Sequence, residues 1–174
     1  IPANAFEGCG NLSNVIMNAS GGASGETIGD YAFKDCSSLA SVFLPSTLAT
    51  LGKLPFYGCT KLTDVDFGTS TTFTCDNGII FGLTSGKKTT LIECLQARGD
   101  EIGTGKIRTE ELADVKTIAP EAFRDCTSVV QVYLTGATGL TVIPESCFEG
   151  CSSLTYCELG DYVKRVEENG FNDS

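Results

Sequence analysis

Apolar residues recur along this chain in a register that repeats with a period in the twenties. In Ile118–Leu134, IAPEAFRDCTSVVQVYL, an apolar residue opens the unit at position zero. A small residue and Phe follow at +4 and +5, Gly or Asp at +7, and Cys at +8; apolar residues close the unit at +11, +14 and +16. Six openers fit: Ile1, Ile28, Leu51, Ile118, Ile143 and Val166. Position +5 is Phe in all six (Phe6, Phe33, Phe56, Phe123, Phe148, Phe171), and +8 is Cys in five (Cys9, Cys36, Cys59, Cys126, Cys151). The openers are 27, 23, 25 and 23 residues apart, save one gap of 67. A fixed period of this size marks a solenoid, in which one repeat cannot bury its own apolar positions and stacking does so.

Each register predicts a local structure. The alternation at +14 and +16 is that of a strand with one buried face. One such strand per repeat builds a short parallel sheet with strands about 4.8 Å apart. Positions +1 to +6 carry Pro or Gly, then Glu, Ala and Phe, which predicts a short helical turn on the other face. Gly and Asp at +7 predict a left-handed residue. Stacking then sets Phe over Phe and Cys over Cys in continuous interior columns. The expected fold is a strand-rich α/β, right-handed solenoid, with residues 1–174 forming one stack.

The gap interrupts the register. Asp76-Asn77-Gly78 is a turn signal, Ile79–Leu83 reads as a strand, Ser85-Gly86 turns the chain, and Thr89–Leu95 reads as the returning strand. An inserted β-hairpin is therefore expected over about residues 69–107. A degenerate repeat is placed in Ile107–Val115.

The run I-G-x-x-A-F-x-x-C-x-x-L-x-x-V-x-L-P, present in Ile28–Pro45, resembles the BspA-type leucine-rich repeat. The resemblance covers nearly the whole chain. The hairpin is similar to one that interrupts many members of that family, on Asn77-Gly78-Ile79-Ile80-Phe81 and Thr90-Leu91-Ile92. Members are found on bacterial surfaces and in some mucosal protozoan parasites. The resemblance implies an extracellular or cell-surface location and adhesion to host or matrix proteins.

Composition narrows the chemistry. Net charge is −10, which disfavours nucleic acid or an anionic membrane as partner. No apolar run is long enough to span a membrane. The chain starts on the opener of one repeat and stops at +8 of another, as a piece of a longer stack would. With no His, neither a Ser-His-Asp arrangement nor a His-ligated metal can form within the chain, and the expectation is no enzyme and no cofactor. Asp64 and Asp66, two apart on one strand face, could bind Ca²⁺ or act as acid and base, but read more simply as a solvated face. Nine Cys allow either a disulfide framework or a column of buried thiols. Parallel Cβ vectors on stacked strands set sulfurs poorly for bonding and favour thiols.

Two features could bind a partner, and a third could carry glycan. The outward sheet face shows Ile16, Phe43, Asp66, Tyr133 and Glu158 at +15, and Asn14, Ser41, Asp64, Gln131 and Tyr156 at +13. Solenoids bind through such extended faces, and exposed aromatics serve as anchors; the candidate residues are Ile16, Phe43, Asp66, Tyr133, Tyr156 and Glu158. Arg98-Gly99-Asp100 is a tripeptide of the integrin-binding type, in a segment expected to be an exposed loop. Asn11, Asn18 and Asn172 begin glycosylation sequons. The expected function is non-catalytic protein–protein interaction; the alternative is a structural stalk or spacer presenting another domain.

Overall fold

In the computed structural model, residues 1–18, 25–98 and 105–174 are described. The strands are short: β1 (Asn14–Ile16), β2 (Glu26–Ile28), β3 (Ser41–Phe43), β4 (Leu48–Leu51), β5 (Phe73–Asp76), β6 (Ile79–Thr84), β7 (Lys87–Cys94), β8 (Lys106–Ile107), β9 (Thr117–Ile118), β10 (Gln131–Tyr133), β11 (Val142–Ile143), β12 (Tyr156–Glu158) and β13 (Arg165–Val166). The chain is a strand-rich solenoid. Strands at +13 to +15 stack in parallel, with Val15 beside Val42 and Val132 beside Cys157. Opener strands stack separately, as β2 on β4, β7 on β9, and β11 on β13. Pro144, at +1, has no N–H to offer the Ile118 carbonyl, and β9 and β11 accordingly lie in different sheets.

The helical turns expected at +1 to +6 do not form. Among the described residues the one helical element is a 3-10 turn, Thr109–Leu112. The reason is a left-handed residue at +3 in every repeat: Asn4, Tyr31, Leu54, Glu121, Ser146 and Asn169 all have φ between 42° and 62°. One positive φ in the middle of a turn ends any right-handed helix. A second follows at +7, in Gly8, Asp35, Gly58, Asp125, Gly150 and Asp173. With the chain zigzagging between these points, backbone groups alternate outward and bond to the next rung. The N–H of +3, +5 and +7 donates to the carbonyl of +2, +4 and +6 one rung on, as Tyr31 to Lys53 (2.9 Å), Phe33 to Pro55 (2.9 Å) and Asp35 to Tyr57 (2.7 Å). Pro55 is tolerated because this ladder uses its carbonyl and not its nitrogen.

The +8 thiols have a similar task. Cys36, Cys59 and Cys151 donate to the carbonyls of Phe6, Phe33 and Phe123 one rung back, at 3.1, 3.1 and 2.9 Å. All nine cysteines are free.

The long gap holds both a hairpin and a further rung. β5, β6 and β7 are antiparallel, joined by two-residue loops at Asn77-Gly78 and Ser85-Gly86 in which all four residues have positive φ, the turn that suits strand twist. β7 then enters the stack. Leu91 pairs with Ile118 as an opener, Cys94 donates its N–H to Ala122 (2.7 Å) from the Phe slot, and Ile107 pairs with Val132 in the sheet. This rung is assembled from Leu91 to Ile107 rather than confined to Ile107–Val115.

Because Cys94 stands where a Phe would, the phenylalanine column expected to be continuous is two stacks of three. Phe6, Phe33 and Phe56 are 5.2 and 5.6 Å apart at their centroids; Phe123, Phe148 and Phe171 are 4.7 and 5.0 Å apart. The core divides likewise. Ile80 and Leu95 pack with the first three rungs, while Ile79, Phe81, Leu91 and Cys94 pack with the last three.

At this joint the rung of Phe56 lacks backbone acceptors, and side chains replace them. Phe56 N–H donates to Glu93 Oε2 (3.3 Å) and Gly58 N–H to Gln96 Oε1 (3.1 Å). Glu93 is buried, and that burial pushes its carboxyl up to about 8 against the partial relief of the Phe56 N–H.

Candidate interaction surface

The outward face of the +13 to +15 strands is built by the same alternation that buries +14. With Val15, Val42 and Val132 inward, +13 and +15 must point away from the core. Parallel pairing without slip sets equal positions side by side. Ile16 lies beside Phe43, and Phe43 is bridged to Asp66. Ile16 is 68% exposed and Phe43 47%. They border a shallow hollow of about 340 Å³, whose rim adds Leu44, Pro45 and Gly68 from the segments leaving the strands. Sequence reasoning missed that rim, because the signal it used covers the strand and not the exit from it.

A second cluster lies on β8, β10 and β12, which form a sheet separate from β1 and β3. The single sheet that the repeat predicts is thus divided, with the hairpin rung at the division. Here Tyr156, 46% exposed, lies beside Gln131, and Tyr133 lies beside Glu158. The two tyrosine rings meet diagonally at 5.4 Å, and the Tyr133 hydroxyl donates to Gln131 (3.1 Å). That contact leaves Tyr133 half-buried, with Tyr156 forming the outer surface; Glu158 is half-buried too. Asp64 and Asp66 are solvated, and Asp66 accepts from the Gly68 N–H (2.7 Å).

The expected exposure of Arg98 is corrected by the structure. Arg98 is buried, donating through Nε to the Asn77 carbonyl (2.7 Å) and through its terminal nitrogens to the Lys106 carbonyl (3.4 Å) and Glu111 (3.1 Å). A guanidinium so committed pins the hairpin turn to the 3-10 turn and is not presented to an integrin. Gly99 and Asp100 lie outside the described residues, as does part of the Asn18 sequon.

A sequence model of the family described as "BspA type Leucine rich repeat region" matches six copies over residues 1–99 and 103–174. The chain belongs to the BspA-type leucine-rich-repeat family. No curated protein matches the sequence. Among solved structures, this BspA-type chain is similar to the pneumococcal vaccine antigen PcpA, at 25% identity and a TM-score of 0.68, over 83% of this chain and 33% of that one. It is similar in fold to a leucine-rich cell-surface protein of Faecalibacterium prausnitzii (18% identity, TM-score 0.64, 98% of this chain and 54% of that one). The same holds for a leucine-rich-repeat protein of T. pallidum (23% identity, TM-score 0.57, 95% and 65%). The BspA-type chain therefore spans about a third of PcpA and about half of the F. prausnitzii protein. No described helix is long and apolar enough to cross a membrane.

Proposed function

We propose that this chain is a non-catalytic, extracellular or surface-displayed stack that binds a protein partner, of host or extracellular matrix, through its outward sheet face. The observation that carries the reading is the Ile16–Phe43 pair. Two large apolar side chains stand exposed in register beside a hollow, where burial in the core does not require them. Asp66 supplies a polar rim, and Tyr156 over Tyr133 with Glu158 supplies a second anchor of the amphipathic kind that interfaces favour. Similarity to a pneumococcal vaccine antigen, and in fold to a protein described as a leucine-rich cell-surface one, supports the location.

The test is binding of the purified chain to a panel of immobilised matrix proteins, with the variants Ile16→Ser/Phe43→Ser and Tyr156→Ser beside the parent. Loss of a hydrophobic or aromatic anchor should weaken capture by about tenfold or more. Unchanged capture by both variants, with unchanged circular dichroism, removes the face from consideration. Capture of nothing by the parent favours the alternative, a structural stalk or spacer.

A further inference from the structure

A second recess lies on the turn side of the stack, built from registers the sheet face does not use. It holds about 290 Å³ and is lined by Tyr31 and Lys34, Leu54 and Tyr57, and Glu121 and Arg124. These are the +3 and +6 residues of three repeats. The same positions elsewhere are small or polar: Asn4 and Glu7, Ser146 and Glu149, Asn169 and Asn172. Aromatic and bulky side chains are thus gathered where the rung of Cys94 withdraws from the turn column. Lys53 bridges that rung to reach Glu121 at 2.7 Å, and the Tyr57 hydroxyl donates to Asp125.

The lining residues hold a costly backbone. Tyr31 (φ 54°), Leu54 (φ 42°) and Glu121 (φ 62°) are left-handed, a region that Asn tolerates and larger residues resist. Asn occupies the same place in the first and last repeats at φ of 57° and 54°. The rung ladder fixes the left-handed backbone in every repeat, but at these three positions it carries large side chains, and those wall the recess.

Charge and occupancy select the ligand. Lys34 is paired with Glu7 (2.8 Å), Lys53 with Glu121 (2.7 Å), and Arg124 with Glu149 (2.9 Å) and Glu121 (3.2 Å). Every cation already has a carboxylate, and Asp125 adds a further negative charge 3.8 Å from Arg124, so an anion finds no free partner. A cation fares no better, because the ammoniums of Lys34 and Lys53 both sit 5.9 Å from the Tyr31 centroid, in the position it would take. What remains favourable is a neutral group that donates to carboxylates, accepts from ammonium and guanidinium, and lays C–H bonds on the second aromatic wall, Tyr57. We propose that the Tyr31–Tyr57–Glu121–Arg124 recess binds a neutral pyranose ring, free or at the end of a glycan. The volume suits one such ring rather than a larger ligand.

The experiment uses the whole chain and the methyl glycosides of glucose, galactose, mannose and N-acetylglucosamine, with immobilised oligosaccharides ending in the same rings. Saturation-transfer NMR reads binding. Tyr31→Asn and Tyr57→Asn each install a residue that another repeat already carries at that position, so the fold should persist. Saturable binding of at least one of these sugars, weakened about tenfold or more in both variants, is the expected result. Capture of either form supports the site, and their relative affinity identifies the source. In the parent, the ring resonances of Tyr31 and Tyr57 should shift on titration while those of Tyr133, Tyr156 and Tyr162 stay, a readout that needs no variant. The proposal is overturned if no neutral sugar saturates at millimolar concentration, or if binding persists in either variant.

Discussion

Replacing Glu93 by Gln should flatten the pH dependence of stability between pH 5 and 8. Glu93 is buried at the joint between the two halves of the core, where its Oε2 stands in for a missing ladder carbonyl. Its carboxyl is raised from 4.5 to about 8 by burial. Unfolded, the group loses its proton near the ordinary value; folded, it keeps it to about 8. The unfolded state thus binds fewer protons across this window, and stability falls as pH rises. The slope for one proton is about 1 kcal/mol per pH unit, or a few kcal/mol in all. The contribution is fully present below pH 4.5 and lost as pH passes through about 8. Gln offers the same carbonyl acceptor to the Phe56 N–H and has nothing to titrate. Urea unfolding at pH 5, 6, 7 and 8 should therefore show the parent losing ground to Glu93→Gln by about 1 kcal/mol per unit. Parallel curves for the two proteins would refute the buried, protonated carboxyl.

Other consequences follow from the stack. Phe33→Ala, buried and stacked on both sides, should cost about 3–5 kcal/mol, and Phe6→Ala, 39% exposed and stacked on one side, distinctly less; equal losses in urea unfolding would contradict the column. Arg98→Ala should cost about 3–5 kcal/mol by leaving Glu111 unpaired, and an unchanged melting temperature would place the guanidinium in solvent. Iodoacetamide should label exposed Cys9 quickly and Cys36, Cys59, Cys126, Cys147 and Cys151 only after denaturation, when mass spectrometry should count nine adducts. Burial raises Cys36, Cys59, Cys147 and Cys151 above their ordinary value, and at Cys126 the Cys94 contact does so first, with burial adding to it. Stability should consequently fall further above pH 9, and a flat alkaline limb would argue against thiols in the core.

What the sequence by itself determined is the solenoid. Phe at +5, Cys at +8 and the apolar trio are residues whose burial requires a neighbour, and a register that repeats needs no long-range information to read. The hairpin turns were legible too, since Asn77-Gly78 and Ser85-Gly86 favour positive φ locally. Only the tertiary structure decided the rest. The left-handed +3 position is hidden by ordinary residues such as Tyr31, Leu54 and Glu121, which are held there by rung-to-rung hydrogen bonds rather than by their own preference, and so the turns looked helical. The rung of Leu91 carries Cys94 in the Phe slot and takes its pairing from Ile118 and Val132. Arg98 reads as exposed, and nothing in the sequence singles out Glu93, because burial of a charge or a carboxyl depends on partners brought from elsewhere in the chain. The two recesses are likewise products of stacking: each gathers single residues, spaced a repeat apart, that have no meaning until the rungs are laid side by side.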